Sequence, residues 1–154
     1  MMDPYSIAVG GSNLYVSDLY SGDILIFPSS ANGYTTPART IGGTTTDLTI
    51  SFGVAVDATG DVYATSDSPG WAIMEFAPTA NGNVAPTRAI AGSVAIAGVA
   101  VDGAGTIYAV VASTSSGALA IEVFGSSANG SAVPAAIIGS SAWTSSIMGQ
   151  IAIY

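Results

Sequence analysis

Apolar and polar positions along this chain fall into short runs divided by turn residues, and no segment shows the 3.6-residue apolar spacing of a helix. In the middle, Gly53-Val54-Ala55-Val56 is followed by the polar stretch Asp57-Ala58-Thr59-Gly60 and then by Val62-Tyr63-Ala64. Two apolar runs around a Gly-containing turn predict a β-hairpin. The same pattern recurs at Ser6-Ile7-Ala8-Val9 with Leu14-Tyr15-Val16, and at Gly98-Val99-Ala100-Val101-Asp102 with Ile107-Tyr108-Ala109.

From end to end, four strand types repeat in a fixed order. Strand a is Ile7-Ala8-Val9, Val54-Ala55-Val56 and Val99-Ala100-Val101, and strand b holds Tyr15, Tyr63 and Tyr108. Strand c is Ile24-Leu25-Ile26-Phe27, Ile73-Met74-Glu75-Phe76 and Ile121-Glu122-Val123-Phe124. Strand d is Arg39-Thr40-Ile41, Arg88-Ala89-Ile90 and Ala136-Ile137-Ile138, and a fourth strand a starts at Ile151-Ala152-Ile153. The strand-a spacings are 47, 45 and 52 residues, the last lengthened around 113–116 and 140–143. Four strands in a period of about 40 to 50 residues mark a β-propeller blade. The expected fold is all-β, with three blades of four antiparallel strands per chain. The repeats are expected over 4–49, 50–94 and 95–147, with 148–154 as the first strand of a fourth. Small Ala and Val on strand a suit a crowded inner rim, and Tyr and Phe on b and c suit packing between sheets.

The sharpest repeat lies between c and d. Ala31-Asn32-Gly33 precedes Pro37, Ala80-Asn81-Gly82 precedes Pro86, and Ala128-Asn129-Gly130 precedes Pro134. Asn-Gly tolerates the positive φ of a tight reversal, and Pro suits the start of an outer strand whose missing N–H would face water. The Asn residues are thus expected to be turn residues.

The stretch from Gly53 to Ala64 resembles the core of an NHL-type propeller repeat, and Gly98 to Ala109 resembles it about as well. The first copy departs, with Ser6 for the opening Gly and Gly10 where the others carry Asp. The resemblance covers nearly the whole chain. It implies a fold used by binding scaffolds, secreted surface proteins and a few lyases or hydrolases.

Propellers typically carry about four to eight blades, so three do not enclose a channel. Either the chain belongs to a longer array or copies complete one another. A dimer making a six-bladed ring is the favoured form, although the fourth strand a must then be displaced or pair along the next molecule's edge. The expected assembly edge is Ile7, Val9, Ile151 and Ile153, because an uncharged apolar strand is a template for pairing. A head-to-tail contact closes into a ring or continues as a filament.

Composition narrows the chemistry. Only 8% of residues are charged, Arg39 and Arg88 are the only cations, and the net charge is −8. That excludes phosphate-backbone binding and attraction to anionic membranes. No run has the roughly 20 apolar residues of a spanning helix. Met1-Met2-Asp3-Pro4 leads straight into the first strand, without a signal-peptide pattern. The chain has no Cys, His or Lys, so thiolate sites, imidazole acid–base chemistry and Schiff bases have no residues to use.

Carboxylates remain. Asp57 and Asp102 share the a–b turn, where Asx hydrogen bonding accounts for them and the acid spacing of a calcium loop is missing. Asp18 and Asp67 are one position out of register when Tyr15 and Tyr63 are aligned, as are Glu75 and Glu122 when Phe76 and Phe124 are aligned. Neither pair reads as a repeated or paired site. Tyr20, Trp71 and Trp143 are the candidate ligand-facing loop aromatics, with packing at blade edges as the competing role. Asn129-Gly130-Ser131 matches a glycosylation sequon but coincides with the repeated turn.

No catalytic, cofactor or metal residue is expected. The leading expectation is a non-enzymatic, self-assembling propeller module that binds protein or carbohydrate and suits an extracytoplasmic bacterial setting. The alternatives are a structural subunit of an extended assembly, and a lyase or hydrolase with a metal site completed across protomers.

Overall fold

A computed structural model of the chain describes residues 3–67, 70–92, 94–112, 118–144 and 151. The alternating runs form three four-stranded antiparallel sheets, each a simple meander. The first contains β1 (Pro4–Gly10), β2 (Asn13–Asp18), β3 (Ile24–Pro28) and β4 (Arg39–Ile41). The second contains β5 (Val54–Val56), β6 (Val62–Ser66), β7 (Ala72–Phe76) and β8 (Arg88–Ala91). The third contains β9 (Ala95–Val101), β10 (Ile107–Ala112), β11 (Ala118–Phe124) and β12 (Ala136–Thr144). A single 3-10 turn, Thr44–Thr46, is the only helical element among the described residues.

Period-two alternation decides which side chains meet. In the second sheet, Val54 pairs with Ala64, Ala64 with Met74, and Val62 with Phe76, so these five share one face. That face packs on the first sheet, where Tyr15, Ile24, Ile26 and Ile41 complete a buried cluster. The opposite face of the second sheet presents Ala55, Tyr63, Ile73 and Ile90 to Val99, Ile107, Ala109, Val111 and Phe124 of the third. The sheets therefore stack face to face, with β1, β5 and β9 neighbouring one another along one rim. Burying one such Ile or Phe contributes about 1.5–3 kcal/mol, so the two clusters supply most of the cohesion.

Small residues on this rim have a steric cause. A Cβ built on Gly53 would lie 2.9 Å from the Gly98 Cα, so the repeat's opening Gly permits backbone to pass against backbone. The first copy's departure from Asp is explained similarly: a Cβ on Gly10 would lie 2.6 Å from Val56 Cγ1. The strands also run longer than their sequence patterns suggested. β12 continues through 140–143, where the spacing of the repeats predicts an insertion.

Candidate functional site

The two cations do the same work at equivalent places. Each lies at the start of the outermost strand of its sheet, and each reaches across to the next sheet's c–d turn. Arg39 donates through one guanidinium nitrogen to the Pro78 and Ala80 carbonyls, both at 2.9 Å. Arg88 donates to the Ser126 and Ala128 carbonyls at 2.6 and 2.9 Å. These carbonyls belong to matching turn positions, so the arginine is a repeated clamp.

The Asn-Gly turn contributes the other half of the joint. Gly82 N–H donates to the Thr40 carbonyl at 2.6 Å, and Gly130 N–H to the Ala89 carbonyl at 2.7 Å. Each forms a parallel bridge, Ile41 with Gly82 and Ile90 with Gly130. Gly33, Gly82 and Gly130 share φ values of 71°, 73° and 60°, which require a residue free of Cβ strain. At the first joint the Asn side chain also works across the gap, because the Thr40 N–H donates to Asn81 Oδ1 at 3.2 Å, whereas Asn129 Oδ1 accepts from the Gly130 N–H of its own turn at 2.9 Å. Turn geometry alone, the sequence expectation, misses the Asn81 contact.

Behind Arg88 lies a short polar chain. Arg88 is ion-paired with Glu75 and also reaches the Tyr63 hydroxyl at 3.4 Å, and Tyr63 donates to Asp57 Oδ2 at 3.2 Å. Burial pushes the Tyr63 phenol well above its ordinary pKa, against the opposing Arg88 contact. Asp57 holds its turn through Oδ1, which accepts from the Thr59 and Asp61 N–H groups, both at 2.9 Å. Asp102 accepts likewise from Ala104 and Thr106 N–H at 2.9 Å, and Tyr108 donates to it at 3.2 Å. The Thr106 N–H is the largest cause holding the Asp102 carboxyl below its usual range. Both are the Asx turns the sequence predicts.

The offset carboxylates are informative. Buried Asp18 accepts from the Asp3 N–H at 2.7 Å and from Ser21 N–H and Oγ at 3.0 and 2.9 Å. Burial alone would raise its pKa; the Ser21, Asp3 and Tyr20 contacts together outweigh that and lower it. Asp67 accepts from Thr49 Oγ1 at 2.6 Å and Ile50 N–H at 3.3 Å. Each pins the segment entering its sheet's first strand, so the one-residue offset conceals a shared structural role. Glu75 and Glu122 occupy opposite faces of their own sheets, which turns both toward the gap between the second and third sheets. Glu75 is engaged by Arg88, while Glu122 stands where the second sheet has Met74, and burial raises its pKa.

Of the expected edge residues, Ile7 and Val9 lie exposed on β1. Ile151 lines an open trough of about 420 Å³ along the rim formed by β1, β5 and β9. Ile153 lies outside the described residues. Tyr20 is exposed beside a broad depression of about 670 Å³ whose wall includes Asp47 to Ile50. Trp71 is occupied by packing: its ring lies 5.9 Å from Phe52, which meets Tyr5 edge-on at 5.7 Å. Trp143 lies within β12, not in a loop. The polar chain and the arginine clamps escaped sequence reasoning, although the signal was present. Both cations of the chain stand two residues after the repeated Pro.

No family model and no curated protein matches the chain. Among solved structures, it is similar to the crystal structure of the WD40 beta propeller domain of Doa1, with a TM-score of 0.61 and 9% identity. The match covers 80% of this chain and 38% of the other. The fold is a β-propeller's. Each sheet is thus a blade, β1, β5 and β9 are the inner strands, and β4, β8 and β12 the outer ones. The chain spans well under half the length of the propeller it matches.

Among the described residues, no group of three or more carboxylates is gathered as a metal site would require. No helix there is long and apolar enough to cross a membrane. What the arrangement offers is a repeated means of joining one blade to the next.

Proposed function

We propose that this chain is a non-enzymatic, NHL-like propeller module that assembles with copies of itself and serves as a binding scaffold. The observation that carries this reading is the outward face of the first blade, where Ile7 and Val9 stand in water on an inner strand. A contiguous apolar surface of this kind marks an interaction site. The loop from Asp47 to Ile50 beside Tyr20 is the surface left for a protein or carbohydrate ligand.

Light scattering across micromolar concentrations tests the reading. A mass at twice 15.2 kDa or a higher multiple supports it, and a monomer throughout the range refutes it. A structural subunit of an extended assembly is the second reading, since a head-to-tail joint that fails to close runs on as a filament. Electron micrographs distinguish rings from fibres.

A further inference from the structure

The two junctions inside the chain show what each face of a blade is for, and one copy of each face is left open. Strand-a positions Val54 and Val99 are each 4% exposed because the preceding blade covers them, whereas the matching Ile7 is 58% exposed. On the other side, outer-strand Ile41 and Ile90 are 0% and 2% exposed under the following blade, whereas the matching Ile138 is 49% exposed. The open positions have kept the apolar character of the covered ones. The Gly33 turn has the same left-handed backbone as the Gly82 and Gly130 turns that take part in the two joints. One element of the joint is missing: Ala136 occupies the position of Arg39 and Arg88.

We propose that the open face of the third blade receives the open face of the first blade of a second copy, head to tail. This junction is the weakest of the series because it lacks the arginine clamp. The proposal rests on the assembly reading above and names the surfaces that carry it. In the joint, the Gly33 N–H of one copy takes the Ile137 carbonyl of the other, as Gly82 takes Thr40 and Gly130 takes Ala89. Ile138 and Tyr108 of one copy cover Ile7, Val9 and Leu14 of the next, as their counterparts do within the chain. Blades in one chain are thereby pinned together, while copies remain exchangeable.

Complementation tests this. Ile7→Asp and Ile138→Asp each place a charge on a side chain that already faces water in the single chain, so folding is preserved; circular dichroism checks that. Val9→Asp is a second first-blade variant. Either change spoils one half of every head-to-tail joint and is expected to weaken association by about 100-fold or more. Mixing the two variants restores association, because one joint in each mixed pair has both halves intact. Ala136→Arg, which aims a guanidinium at the Ser29 and Ala31 carbonyls of the next copy, is expected to tighten association about tenfold.

If the wild type assembles but Ile138→Asp has no effect, or the mixture stays dissociated, the head-to-tail joint is wrong while self-assembly stands. If Ala136→Arg assembles no more tightly than the wild type, the missing-clamp explanation is wrong. A wild-type monomer overturns the assembly reading as well.

Discussion

Replacing Arg88 with Ala tests the clamp where its surroundings are best defined. The change deletes two carbonyl contacts, at 2.6 and 2.9 Å, and leaves Glu75 without its cation in a mostly buried position. Hydrogen bonds from a charged donor contribute about 1.5–3 kcal/mol each when buried. Both carbonyls border solvent, so about 1 kcal/mol each is the appropriate figure. A stranded, partly buried Glu75 adds about 1 kcal/mol. The expected loss is about 3 kcal/mol, or roughly 6–12 °C in Tm for a chain of this size. Arg39→Ala removes the same two contacts but strands no carboxylate, so about 2 kcal/mol is expected. Adding Glu75→Gln to Arg88→Ala should recover about 1 kcal/mol by removing the unpaired charge. Urea unfolding followed by tryptophan fluorescence gives each value from the midpoint and slope. If both arginine variants fall within about 0.5 kcal/mol of wild type, the range of ordinary surface changes, the clamp does not hold the blades.

Three further outcomes follow from the same geometry. Asp18 has a lowered folded-state pKa, so the stability it contributes is present above about pH 4 and is lost as pH falls through the folded value. Asp18→Asn should therefore cost about 2 kcal/mol at neutral pH and little in strong acid, as read from urea midpoints against pH; an equal cost throughout would contradict this. Glu122 has a raised pKa, so its contribution declines as pH rises through the carboxylate range. Glu122→Met, the residue type at the equivalent position 74, should raise stability by about 1 kcal/mol at neutral pH and change little below about pH 4. Association should strengthen with salt, because each copy carries −8 while the apolar side chains that meet in the joint, Ile7, Val9 and Ile138, carry none of that charge. Raising ionic strength from about 0.01 to 0.15 M shortens the screening length from about 30 to 8 Å, and sedimentation showing weaker association there would point to an ionic joint.

Much of the fold was legible because two independent signals agreed. Period-two alternation set the faces, and the Asn-Gly turns at 33, 82 and 130 set the register of each repeat. Strand ends were less legible: β12 runs on through Ser140 to Thr144, where Ser-rich composition reads as loop. The joints between blades were the least visible, since they involve residues about 40 apart in sequence, such as Arg88 with Ser126 and Ala128. Alternation within one strand reveals which face a side chain occupies but not what the facing sheet presents. For that reason Glu75 and Glu122, one position out of register in the repeat, were not expected to point into one gap.

A designed cross-link tests the central claim, that the joint seen twice within the chain forms a third time between copies. A Cβ built on Gly43 lies 3.0 Å from Asn83 Cβ, and the matching positions at the open ends are Ser140 and Tyr34. That separation approaches the Cβ spacing of a disulfide. The natural sequence has no cysteine, so Tyr34→Cys with Ser140→Cys introduces the only two thiols. Under mild oxidation the account predicts covalently joined copies on a non-reducing gel, with either single variant remaining as unlinked chains. Unlinked double-variant chains with free thiols, in a sample that is nevertheless assembled, would contradict it.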